Sequence, residues 1–203
     1  MFVMKEKESR AEHYMSMKKA YDESKAIPEE SHISNGYVYI SFEKVEFEEK
    51  EVVPKCLYMT IPTDFKLMSE KDVRRKYPSD DRPDHIYTSE DTSVNISFSL
   101  DEEEVDNNQI VEIKDLVQKE LERLNPSSEF TSDAITLEQE NHEKIIGYFC
   151  FDSPVLDGDL YTFMFFVEAN KKLVLGTFNC ASYQRDEWEE ILIQMLQTIK
   201  AKV

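Results

Sequence analysis

Apolar and polar positions alternate most clearly between residues 144 and 183. The alternation predicts three antiparallel strands in a meander, over 144–152, 160–168 and 172–183. Phe163, Phe165 and Val167 share one face, and Leu160, Met164 and Phe166 share the other. A sheet that is apolar on both sides must be covered on both sides. Asp157-Gly158 and Asn170-Lys171 supply the turns, because these residue types tolerate positive φ.

The rest of the chain offers the covers. Residues 5–25 read as a helix with a narrow stripe of Ala11, Tyr14, Met17 and Tyr21, ended by Pro28. Two strands of a hairpin are expected over 36–48 and 52–61. In the first, Val38, Ile40 and Phe42 share a face, then Val45 and Phe47 shift parity, which predicts a bulge near Glu43-Lys44. Residues 63–82 read as loop and short helix, capped by Ser69 and stopped by Pro78, with Val73 and Tyr77 on one side. Strands follow over 85–89 and 92–100. In the latter, Val94, Ile96, Phe98 and Leu100 alternate with Asn95, Ser97 and Ser99, so one face is solvated or covered by polar contacts.

An acidic loop over 101–108 leads into a helix over 109–124, with Ile110, Ile113, Val117, Leu121 and Leu124 on one stripe. A strand over 130–139 returns the chain to the meander. The closing helix, from about Arg185, carries the strongest stripe: Trp188, Ile191, Leu192, Met195 and Ile199. Asp186 and Glu187 favour its start, and Lys200 and Lys202 its end. These elements predict an α+β fold, an α/β/α sandwich with a mainly antiparallel sheet and helices on both faces. Residues 1–35 form a helical appendage and 36–203 the sandwich domain. The appendage stripe is left open between packing on the sheet and binding another chain.

Composition narrows the function. The net charge is −18 over 203 residues, and residues 1–35 hold six basic and seven acidic side chains, so −17 of it lies beyond Asn35. That balance disfavours nucleic acid and anionic membranes, whose binding rests on Lys and Arg. The acidity reads as a solvated surface, with a basic protein partner as the sharper alternative. No apolar run approaches the ~20 residues that span a bilayer, and the start lacks a secretory pattern. Cys56, Cys150 and Cys180 are sparse and without zinc spacing. They read as reduced, buried thiols of a cytoplasmic protein.

Catalytic patterns are missing from the sequence. Its four glycines, at 36, 147, 158 and 176, never cluster into a phosphate loop. His13, His32, His85 and His142 have no partner at ligand spacing, and no cofactor or metal is expected. Asp157-Gly158-Asp159 reads as a hairpin turn rather than a calcium loop, and Glu102-Glu103-Glu104 as a solvated run. The distinctive stretch is Arg74-Arg75-Lys76-Tyr77-Pro78-Ser79-Asp80-Asp81-Arg82-Pro83, the one basic cluster in an acidic chain. It reads either as a corner where Tyr77 packs inward and Arg82 pairs with Asp80 or Asp81, or as a recognition loop. Arg74, Arg75, Lys76, Tyr77 and Arg82 are the partner-binding candidates.

The order of elements resembles the PsbP-like fold, shared by the Ran-binding Mog-type proteins and the DcrB group. The resemblance rests on Tyr58-Met59-Thr60-Ile61-Pro62-Thr63-Asp64-Phe65 and on residues 94–100, 109–124 and 147–202. It spans residues 52–203 and carries no site residue across. It implies an α/β/α sandwich and a non-enzymatic role, such as GTPase binding, photosystem assembly or chaperoning of secreted effectors. The chain departs from DcrB in having no lipoprotein signal. The expected function is a non-catalytic protein-binding module, a chaperone or immunity-type partner of a secreted protein. The alternative is a hydrolase-like enzyme whose site assembles only in three dimensions, around His85 or His142 and a carboxylate.

Overall fold

The computed structural model describes Met15 and residues 31–41, 43–139, 142–155 and 158–202. The helix expected over 5–25 lies outside the described residues, as does Phe42. In chain order the strands are β1 (Tyr37–Ile40), β2 (Glu43–Val53), β3 (Leu57–Pro62), β4 (Lys66–Leu67), β5 (His85–Thr88), β6 (Asn95–Glu104), β7 (Phe130–Gln139), β8 (His142–Val155), β9 (Gly158–Ala169), β10 (Lys172–Ala181) and β11 (Lys200–Ala201). The α-helices are α1 (Glu70–Lys76), α2 (Ile110–Leu124) and α3 (Arg185–Leu196).

The meander is the centre of a seven-stranded antiparallel sheet, ordered β4-β5-β6-β10-β9-β8-β7. Its two faces divide as the alternation predicts. Tyr161, Phe163, Phe165 and Val167 join the main core, while Phe149, Phe151 and Phe166 form a second cluster under α2. Over the main core lie α3 and a four-stranded sheet, β1-β2-β3-β11. The fold is α+β, with helices on both faces of a mainly antiparallel sheet.

Two glycines permit close packing. Gly176 lies directly opposite Phe165, and a Cβ there would sit 2.0 Å from the ring. Gly147 lies beneath α2, where a Cβ would come within 3.2 Å of Lys114. The predicted Asn170-Lys171 turn is present, with both residues at positive φ.

The polar side of β6 is sealed by its own hydrogen bonds. Thr88 Oγ1 donates to Asn95 Oδ1 at 2.8 Å, Ser97 Oγ to the Thr177 carbonyl at 3.3 Å, and Asn179 Nδ2 to Thr162 Oγ1 at 2.9 Å. Ser97 is only 2% exposed, so polar contact rather than water satisfies this stripe.

Several boundaries differ from the sequence reading. The parity shift at residues 43–44 is a chain reversal, with Ile40 opposite Glu43 and Ser41 at φ +49°. A tight turn and a bulge both exchange the faces, so alternation cannot separate them. Val52 and Val53 end β2, and Lys55 at φ +59° turns the chain into β3. Residues 101–104 extend β6 instead of looping, because they continue the pairing with β10, with Asp101 opposite Leu173 and Glu104 opposite Lys172. Leu124 is 68% exposed, while Lys114 takes a buried place on α2. Finally, α3 stops at Leu196, and Lys200 pairs in β11 opposite Tyr58 rather than ending a helix. Its charge meets Glu49, and that of Lys202 meets Glu51. At the other end, Ile33 is buried beside α3 and its amide donates to Gln194 Oε1 at 3.0 Å.

Candidate functional site

The basic stretch begins on α1. Ser69 caps the helix as expected, accepting from the Asp72 amide at 3.2 Å. Its hydroxyl donates to the Asp72 carboxylate at 2.6 Å, which, with Arg75 nearby, holds that carboxyl below its ordinary range. Met68 before the cap and Val73 in the helix occupy the positions of a hydrophobic staple. Both line a cavity of about 380 Å³ between α1 and the β4–β5 edge, with Leu67, Glu70, Arg74, Arg82, Asp84 and His85 around it.

The fold therefore brings together two of the five candidates. Arg74 and Arg82, eight positions apart, border one cavity. Arg74 is loosely held by Glu70 at 3.6 Å, both side chains well exposed. Arg82 has no ion pair with Asp80 or Asp81, nor with another carboxylate among the described residues. Arg75 turns away to Asp72 at 3.1 Å, and Lys76 donates to the Thr92 carbonyl. Burial lowers the Lys76 pKa and raises that of Tyr77, which is half-buried as the corner reading expects.

Sequence reasoning missed Leu67, and it named His85 only for the catalytic alternative. Leu67 is 63% exposed on a two-residue edge strand. His85 reaches the cavity through strand pairing, opposite Phe98, and its imidazole has no hydrogen-bond partner among the described residues. The neighbouring Asp84 carboxylate is already engaged, accepting from the Leu100 amide at 2.9 Å. The only local signal was the apolar pair, Met68 and Val73, flanking the cap.

A second constellation ties α3 to the sheet. Arg185 donates to Asp152 Oδ2 at 2.9 Å and to Glu189 Oε2 at 3.0 Å, with its guanidinium 5.1 Å from the Tyr161 ring centre. Ser182 donates to the other Asp152 oxygen. Asp152 and Arg185 border a cavity of about 420 Å³ with Ser127, Ser128, Glu129, Pro154 and Asp159. The groups behind this network are held protonated. Burial raises the Cys150 thiol and the Tyr161 phenol, and pushes Cys180 up to about 12. Cys56 is raised for the same reason, and all three cysteines are free. A thiol so shifted is a poor nucleophile. Among the described residues no group of three or more His, Cys, Asp or Glu is placed to hold a metal ion. Nor is any helix long and apolar enough to cross a membrane.

No protein-family model matches the sequence, and a search of curated proteins finds no match. Solved structures do resemble the fold. The cyanobacterial PsbP protein CyanoP from Synechocystis sp. PCC 6803 superposes with a TM-score of 0.52 at 9% identity, over 76% of this chain and 92% of its own. LpqN, described as involved in cell envelope biogenesis of Mycobacterium tuberculosis, gives 0.49 at 11% identity, over 87% of this chain and all of its own. The fold is PsbP-like.

Proposed function

We propose that this PsbP-like domain is a non-catalytic protein-binding module, a chaperone or immunity-type partner of a secreted protein. It engages that partner through the cavity between α1 and the β4–β5 edge. One observation carries the reading: exposed Leu67 and Arg82, which has no ion pair among the described residues, frame the same opening. Arg is enriched at interface hot spots, and the exposed apolar surface of Leu67 beside it gives binding an area to desolvate. Met68 and Val73, at the staple positions on either side of the Ser69 cap, form part of the cavity wall on the sheet-and-helix scaffold.

The neighbouring chemistry supports binding over turnover. A hydrolytic site around His85 would need a carboxylate to orient the ring, and Asp84 is occupied by a backbone amide. The free, buried thiols suit a reducing compartment, which supports a cytoplasmic reading.

The test is affinity capture with immobilised wild-type protein and with the double variant Leu67→Asp, Arg82→Glu. The partner is then purified and rebound. We expect rebinding to fall at least tenfold in the variant, with an unchanged melting temperature. Equal rebinding would remove the cavity from the interface. Turnover of a small substrate by the purified protein would remove the non-catalytic reading.

A further inference from the structure

The sheets described have four edges, and three are short. The strands β1, β4 and β11 hold four, two and two residues. The fourth edge is β7, ten residues long and paired with β8 through ten consecutive partners without a register shift. Proteins commonly blunt a long edge with Lys, Pro, a bulge or a covering element. Here the strand Phe-Thr-Ser-Asp-Ala-Ile-Thr-Leu-Glu-Gln contains neither Lys nor Pro. Its residues 131–134 are all exposed, so no element among the described residues covers it there.

The hydrogen bonds show which groups face outward. The Ala134 amide donates to its neighbour's carboxylate, Asp133 Oδ1, at 2.8 Å. The Ile145 amide, opposite Thr136, donates to Asn107 Oδ1 at 2.9 Å. Thr136 and Ile145 are therefore a non-hydrogen-bonded pair, and the Thr136 amide points away from β8. By the same alternation the amides of Ser132 and Glu138 also point off the edge.

The charge beside this edge is one-sided. Glu138 lies directly opposite Glu143, a like-charge cross-strand pair, and Asp133 and Glu129 stand nearby. None of the four has an ion pair among the described residues. The adjacent cation, Lys114, is already neutralised by Asp115. On the core face of β7, Ile135 and Leu137 are only half-buried.

We infer that β7 is a strand-addition site for an extended basic segment of a partner protein. Main-chain hydrogen bonds to the outward amides of Ser132, Thr136 and Glu138 supply affinity. Lys or Arg opposite Glu138 on one face, with apolar residues over Ile135 and Leu137 on the other, supplies selectivity. A second copy of this chain fits less well, because it would bring another −18 to the same edge. The inference rests on the protein-binding reading but not on the α1 cavity, which lies at the opposite edge of the sheet.

The test titrates the full chain with a fluorescent ten-residue peptide alternating Val with Lys and Thr, and with a control in which Glu replaces Lys. Thr136→Pro removes one outward donor while leaving the ladder to β8 intact, and Glu138→Lys reverses one charge without touching the backbone. We expect saturable binding of the basic peptide only, weakened at least tenfold by either variant. Hydrogen exchange at Ser132, Thr136 and Glu138 should slow on binding. Binding unchanged in both variants, or equal for the acidic peptide, would overturn the inference. So would a concentration-dependent dimer abolished by Thr136→Pro, which would assign the edge to a second copy. Loss of this binding with the cavity variant still defective in rebinding would remove the edge and leave the binding module.

Discussion

Replacing Trp188 separates two contributions that the structure assigns to one side chain. The indole is 3% exposed, with its ring centre 4.9 Å from Phe178 and 6.2 Å from Phe65. Removing it as Trp188→Ala forfeits burial and leaves a cavity at the contact between α3 and the sheet. Such truncations cost ~3–5 kcal/mol. With a urea slope at the upper end of the usual range, about 3 kcal/mol per M, a loss of ~4 kcal/mol lowers the midpoint by about 1.3 M. The indole Nε1 is buried and has no hydrogen-bond partner among the described residues. An unmade hydrogen bond of that kind costs about 1–3 kcal/mol. Trp188→Phe keeps most of the ring and removes the orphaned donor, so its net change should stay within about 1 kcal/mol. The assay is urea unfolding followed by far-UV circular dichroism, because Trp188 is the only tryptophan and its fluorescence vanishes in both variants. An unchanged midpoint for Trp188→Ala would place the ring outside the core. A Trp188→Phe variant as unstable as Trp188→Ala would show that the indole N–H is bonded in the folded protein.

Three further outcomes are expected. Cys180 has a folded-state pKa near 12 against an ordinary 9.0, so its burial contributes stability that is complete below pH 9 and lost as pH rises toward 12. The slope attributable to it is at most about 1.4 kcal/mol per pH unit, and urea midpoints at pH 8 and pH 10 should converge more closely in Cys180→Ala than in wild type. Lys144 donates to the Glu168 carbonyl at 2.7 Å and pairs with its carboxylate in a buried setting. Lys144→Ala should cost ~3–5 kcal/mol in the same unfolding assay, and Lys144→Met with Glu168→Leu much less, because breaking one half strands a buried charge. Gly176→Ala forces a methyl group into the Phe165 ring and should lower stability by ~1–3 kcal/mol, read as a drop in melting temperature.

The sequence made the meander legible because both of its faces are apolar and its turns carry residues suited to positive φ. The α3 stripe was legible for the same reason, a strong period with few competing signals. What escaped were features set by distant partners. The turn at Ser41 has the same parity signature as a bulge. The strand β11 is two residues long, and Lys200 there finds Glu49, 151 positions away. The basic corner was visible as composition, but composition could not say that Arg74 and Arg82 share a cavity while Arg75 and Lys76 turn elsewhere. Leu67 and His85 enter that cavity through strand pairing with β5 and β6, which no local pattern encodes. Nothing in the local sequence marks Lys114 and Lys144 as buried, and only the helix contact at Gly147 and the carbonyl of Glu168 explain their burial.

Site-specific photo-crosslinking in cells tests the central claim, that this domain recognises a protein through the cavity beside α1. A benzophenone side chain replaces Leu67 in one variant and exposed Glu122 on α2 in another. The reading predicts one discrete protein adduct from position 67, none from position 122, and loss of the adduct when Arg82→Glu is added. Equal labelling from both positions, or an adduct indifferent to Arg82, would contradict it.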